Sequence, residues 1–211
     1  MNRHNLLTVI GLVAALAVPA CSAAPPADET GPGVTTSAEE LPPPGFGTLR
    51  QDDFTIPLAW GPVQIKVTPL AEGVIRLAAP DTYQRLHGMV ASRSEQIRQR
   101  AEMVGMRGEP TLFLVSFFTY EQQAPFDPSS LQLLSQGILH FQQGILPLTP
   151  EWGREQLKQQ QTQSAIYLFD PTIDLQVPLE VQYADTRTRV WYQIIGTLQT
   201  EYGRVVSRAK G

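Results

Sequence analysis

The stretch "TLFLVSFFTY", residues 111 to 120, restricts the fold of this chain more than any other. It carries large apolar side chains at both odd and even positions, so an extended backbone would turn greasy surface to both faces at once. A strand of that kind is predicted at the centre of a sheet, covered on both sides. The rest of the domain must supply those covers.

The neighbouring patterns point to more strands. "GPVQIKVTPL" sets Val63, Ile65 and Val67 against Gln64, Lys66 and Thr68, the period of two of a strand with one wet face. Shorter candidates follow at residues 131–134, 137–141, 144–148, 164–169, 175–183 and 188–194. Turn signals such as Asp127-Pro128, Gln136-Gly137, Gln143-Gly144 and Asp170-Pro171 separate several of them. Many short strands at this spacing predict a mainly β fold, an antiparallel, immunoglobulin-like sandwich.

Helical signals are fewer. Residues 80–105 place Tyr83, Leu86, Val90, Ile97, Ala101 and Val104 at near-helical spacing between Asp81 as N-cap and Gly105 as C-cap. They predict one added amphipathic helix against a sheet. "TPEWGREQLKQQQ" opens with Thr149 and then Pro150, which suits a short helix. In the tail Trp191, Ile195, Leu198, Tyr202 and Val205 keep a helical stripe weakened by Gly196, so a strand turning into a short terminal helix is expected.

The N-terminus is of another kind. One basic residue, Arg3, precedes an apolar run from Leu6 to Val18, and no acid occurs before Asp28. A transmembrane helix needs about 20 apolar residues, and this run fits a secretory signal peptide over residues 1–20 instead. Just after it, in "VPAC", stands the only cysteine, Cys21. One reading is that Cys21 simply follows an ordinary cleavage site after Ala20. The other is that "VPAC" resembles the lipobox of bacterial lipoproteins, although Pro19 stands where a small residue is usual. A lone exported cysteine can form no internal disulfide, and a free exported thiol is a liability, which favours modification. The resemblance implies that Cys21 is acylated and holds the chain on a membrane without spanning it. Ser22 after the cysteine then implies the outer membrane if the cell has two.

Residues 21–48 read as a lipid-anchored, Pro/Gly-rich tether that has almost nothing to pack, and residues 49–211 as one β-rich domain. The net charge is −4, and loss of Arg3 with the leader makes it one unit more negative, so nucleic acid is not an expected partner. Thirteen Arg against three Lys fits a GC-rich genome without any phosphate-binding story.

Little chemistry is legible. With Cys21 acylated there is no thiol nucleophile, and no Gly-x-Ser-x-Gly elbow is present. His87 and His140 are too few for a three-histidine metal site, and no cofactor is expected. His87 reads as a boundary residue on the helix. His140, alternating with Leu139 and Phe141, reads as facing water. Asp170, Asp174 and Asp185 could ligate a cation or form an acid–base pair, but Asp before Pro is a routine turn starter. Arg93, Arg98, Arg100 and Arg107 are interleaved with Glu and read as a solvated face. Arg187, Arg189, Arg204, Arg208 and Lys210 form a basic end that could meet an anionic polymer. The sequence therefore reads as a lipid-anchored cell-envelope protein with a non-enzymatic binding or structural role toward a partner protein or envelope polymer. The alternative is an exported hydrolase built on Asp170, Asp174 or His87.

Overall fold

A computed structural model describes residues 41–211 apart from residue 154. The leader, Cys21 and residues 22–40 of the tether lie outside the described residues.

Strand β3 (Thr111–Thr119) holds the position its sequence demands. It is third in a five-stranded antiparallel sheet ordered β1-β2-β3-β9-β7, with β1 Ile56–Trp60, β2 Val63–Pro69, β7 Gly144–Pro147 and β9 Thr162–Phe169. The register places Phe113 opposite Tyr167, Val115 opposite Ala165 and Phe117 opposite Gln163, with Val67 and Ile65 facing Val115 and Phe117 from β2. This face is buried throughout. Alternate residues build the second face, where Leu114, Ile166 and Leu168 are buried and Gln64 and Lys66 are exposed.

A second antiparallel sheet runs β11-β10-β5-β6: β5 Leu131–Ser135, β6 Ile138–Phe141, β10 Leu179–Tyr183 and β11 Thr186–Thr188. Its inward residues Leu131, Leu133, Val181 and Tyr183 are buried. Tyr183 meets Phe117 at 5.8 Å and Trp60 at 5.5 Å between ring centroids, and Phe117 also packs on Phe126 and Trp152. Aromatic contacts of this kind are worth about 0.5–1.5 kcal/mol beyond area burial, so this cluster ties the two sheets together. Burial drives the Tyr167 phenol strongly upward, and its hydroxyl donates to Pro128 O at 2.7 Å. A ribbon of β4 (Gln123–Pro125) with β8 (Gln156–Lys158) completes the strands.

The architecture is a mixed α/β fold with several antiparallel sheets and helices. Among the described residues no sheet is closed into a barrel or a sandwich, which corrects the immunoglobulin-like expectation. The helical share is also larger than expected. Besides a single turn, α1 (Glu72–Ile75), the predicted amphipathic helix is two helices, α2 (Pro80–Ala91) and α3 (Ser94–Met103). The apolar stripe skips from Val90 to Ile97, and the chain breaks in that gap, with the Ser92 hydroxyl donating to Met89 O. Ala79, not Asp81, is the N-cap of α2; Pro80 takes the first position and Asp81 the first turn, where its charge suits the helix dipole. The C-terminal stop is as read: Gly105 at φ +68° follows α3, with Gly105 N–H to Glu102 O and Met106 N–H to Ala101 O closing a Schellman motif.

Two further expectations change. Residues 149–153 and 155–161 form turns and β8 in place of the expected helix, because Trp152 is drawn into the aromatic cluster and Glu155 and Gln160 adopt positive φ. The tail is helical from Trp191 to Lys210, α4, and the expected strand over residues 188–194 is cut short after Thr188. The buried stripe of α4 is Trp191, Ile194, Leu198, Glu201 and Val205, so the helix is rotated from the predicted face and Tyr202 is exposed.

The domain begins before the expected boundary at residue 49. Pro42 and Gly47 are buried, and Leu49 bridges Ala78 through Leu49 N–H to Leu77 O and Ala79 N–H to Leu49 O. A Cβ at Gly47 would stand 2.2 Å from the Leu77 carbonyl carbon and oxygen, so only glycine passes there. The last residues of the expected tether are therefore part of the packed domain.

Candidate functional site

The carboxylates singled out in the sequence lie on separate turns. Asp170 follows β9: its Oδ1 accepts from Thr172 N–H (2.8 Å) and Thr172 Oγ1 (2.5 Å), and these bonds hold its carboxyl below the ordinary value. Asp174 accepts from Gln176 N–H at 2.8 Å. Asp185, in the β10–β11 turn, accepts from Trp60 Nε1 at 3.0 Å. Each is engaged in local turn or packing geometry. Among the described residues no group of three or more His, Cys, Asp or Glu could hold a metal ion.

His87 does have partners. Its Nδ1 lies 2.7 Å from Glu72 Oε1, its ring stacks on Tyr83 at 5.2 Å, and Arg76 Nε donates to Glu72 Oε2 at 2.6 Å. Burial pulls the Glu72 carboxyl up, but the hydrogen bonds from Arg76 and His87 outweigh it and hold the group below its ordinary value. Arg76 also reaches Pro42 O. A carboxylate on Nδ1 leaves Nε2 for a proton, the orientation of an acid–base pair. The same bonds, with the Tyr83 hydroxyl donating to Glu72 Oε2 at 3.4 Å, clamp α1 to α2 and to the incoming chain. Sequence reasoning had no means to find Glu72, because it lies 15 residues from His87 on a turn without a helical pattern.

Arg98, Arg189, Arg204 and Arg208 of the basic clusters pair with acids. Arg98 pairs with Glu95 and Glu102, and the Arg100 methylenes cover Gly144, where a Cβ would come within 2.7 Å. Arg189 pairs with Glu180, and both Arg204 and Arg208 with Glu201. Glu201 is 1% exposed and also accepts from Thr48 N–H (3.0 Å) and Thr48 Oγ1 (2.9 Å). Burial raises this carboxyl, while the hydrogen bonds from Arg208 and Thr48 and the Arg208 charge outweigh it and lower it overall. A shallow polar groove of about 350 Å³ runs along α4 past Gln193, Thr197, Thr200 and Arg204. The arrangement is a latch that fastens residues 46–49 to the terminal helix, and Arg208 completes it by donating to Phe46 O at 2.5 Å.

The unprotected feature is strand β6. Every one of its residues has solvent access: Ile138 is 60%, Leu139 40% and Phe141 57% exposed, with His140 intermediate. His140 pairs with Leu133 and so shares the inward face, half-buried, whereas Leu139 and Phe141 point outward; the expectation that His140 faces water is corrected. The hairpin turn is Gln136-Gly137 with φ of 51° and 79°, a two-residue type I′ turn. Such a turn makes Ser135 and Ile138 a hydrogen-bonded pair, so Ile138 and His140 bond toward β5, and the N–H and C=O of Leu139 and Phe141 face the open edge. The other edges of the two larger sheets are treated differently. β1 meets β11 through Trp60 and Asp185, and α3 lies against β7 at Gly144.

Edge strands in stable domains are blunted by charge, proline or a bulge. From Pro128 to Pro150 this chain has no Asp, Glu, Lys or Arg at all. That gap was the available sequence signal for an open apolar edge.

No family model, no curated protein and no solved structure matches this chain.

Proposed function

We propose that the chain is a lipid-anchored cell-envelope protein that acts by binding a protein partner through the β6 edge, without catalysis. The observation that carries this reading is the run of exposed apolar side chains on an uncharged edge strand whose backbone groups face outward. Monomeric proteins rarely leave such a feature unused, since it invites strand addition. The placement of Asp170 and Asp174 in the β9–β10 connection, Asp185 in the β10–β11 turn and His87 on α2, each engaged in local bonds, supports a recognition face over a reaction cleft. The signal-peptide pattern and Cys21 support export and anchoring, with the outer membrane as the destination in a two-membrane cell. Among the described residues no helix is long and apolar enough to cross a membrane.

A second reading, an exported hydrolase, draws on the Glu72–His87 contact. One experiment separates the two. Proteins held by the chain are captured by crosslinking in cells, beside Leu139→Lys/Phe141→Lys, His87→Ala and Asp170→Ala forms. Binding through β6 predicts that capture is lost only in the double lysine form. If that form captures normally, while the purified chain cleaves a glycan, ester or peptide and His87→Ala or Asp170→Ala stops it, the hydrolase reading takes its place.

A further inference from the structure

We infer that the partner for which β6 is shaped is a second copy of this chain, paired antiparallel about a two-fold axis at His140; the inference rests on the binding reading above and names its partner. Three observations converge. First, the backbone groups that face the edge belong to Leu139 and Phe141, two residues apart. A two-fold axis perpendicular to the sheet and centred on His140 therefore sets Leu139 opposite Phe141 of the second copy, and Phe141 opposite its Leu139. Both are hydrogen-bonded pairs that exchange N–H and C=O bonds. The same register brings the exposed Leu and Phe side chains together on the outward face as cross-strand pairs, the unit by which sheets gain stability.

Second, the two-fold axis sets the residues closest to it near their own copies, so an Asp, Glu, Lys or Arg beside His140 would meet a like charge. The absence of Asp, Glu, Lys and Arg from Pro128 to Pro150 removes that conflict. A foreign acidic or basic segment would find no complementary charge here. Third, the assembly closes. β6 is one edge of the β11-β10-β5-β6 sheet, and the opposite edge, β11, already lies against β1. Pairing at β6 is isologous and uses the same edge of both copies, so it stops at two copies and does not propagate into a fibre. The short strand gives a modest interface, and lipid anchoring would raise the local concentration that a modest interface needs.

The test uses the full chain, expressed in a bacterial envelope, carrying His140→Cys. The two residues at the axis form a non-hydrogen-bonded pair with Cα atoms about 4.5 Å apart, within disulfide range. Mild oxidation is expected to give a disulfide-linked species of twice the chain mass. The parent chain, which has Cys21 alone, and an Arg93→Cys form are expected to give none. Adding Leu139→Lys and Phe141→Lys to His140→Cys is expected to abolish the product, while a thermal melt shows the fold intact. A mixed disulfide between His140→Cys and a different envelope protein, with no dimer, overturns self-pairing and leaves the binding reading standing. Failure of the position to crosslink to anything, with the double lysine form still capturing its partners, overturns both.

Discussion

Residues 41–49 and strand β6 make an instructive pair. The first is irregular and rich in proline and glycine, with the composition of a linker, yet it is held by Leu77, Ala79, Arg76, Arg208 and Glu201. The second is regular backbone with large apolar side chains, the composition of a core, yet it stands open. Composition reports what a segment could bury; which segments are covered depends on whether another element reaches them. Along residues 41–49 the terminal helix returns from the far end of the chain to do so. The outer edge of β6 is paired with no strand among the described residues.

Breaking the held region should have the largest effect. Gly47→Val drives a side chain into the Leu77 backbone and should cost about 3 kcal/mol in urea unfolding, more than a core swap of similar size. An unchanged midpoint would mean that residues 46–48 are not fastened as described.

Glu201→Gln should come next, at about 2 kcal/mol at neutral pH, because it removes the charge that Arg208 and Thr48 converge on. Its pH dependence has a fixed sign. The folded carboxyl lies below its ordinary value of 4.5, so its contribution is present above that pH and is lost as pH falls from there through the lower folded value. The gap between parent and Glu201→Gln should therefore be full at pH 7 and shrink in acid. A gap that widens below pH 4.5 would contradict the latch.

Much of the core was legible because it is local and periodic. The apolar run of β3 and the alternation of β2 specify a covered central strand and its neighbour, and Gly105 marks the end of α3 through the positive φ it adopts. The latch was not legible, since Thr48 and Glu201 are 153 residues apart and a buried glutamate in a helical stripe reads as solvent-facing. The rotation of α4 follows from the same residue: Arg208 and Thr48 satisfy Glu201 inside, and Tyr202 is turned out. The strand β6 was found in the sequence, but its exposure was not. Burial of an apolar strand is a relation with other elements, and only the missing charges from 128 to 150 hinted at its edge position.

Smaller effects sharpen the comparison. His87→Ala should cost within about 1 kcal/mol, because its pairing with Glu72 is half exposed and Arg76 remains. Smaller still, Leu139→Lys and Phe141→Lys should each shift unfolding of the isolated domain by about 0.5 kcal/mol or less, because exposed side chains lose little on replacement. A loss comparable to that of Gly47→Val would show that β6 is packed within its own domain.

The central claim, that the β6 edge is the surface by which this protein engages a partner, is tested most directly by residue-resolved amide hydrogen exchange on the full chain. It is measured dilute in detergent and again when densely anchored on membranes. The account predicts that Ile138 and His140, bonded toward β5, are slow in both states. Leu139 and Phe141 are fast when dilute and become protected on the membrane. Protection of Leu139 and Phe141 already in the dilute chain, or rapid exchange at both positions in the dense anchored state, would contradict it.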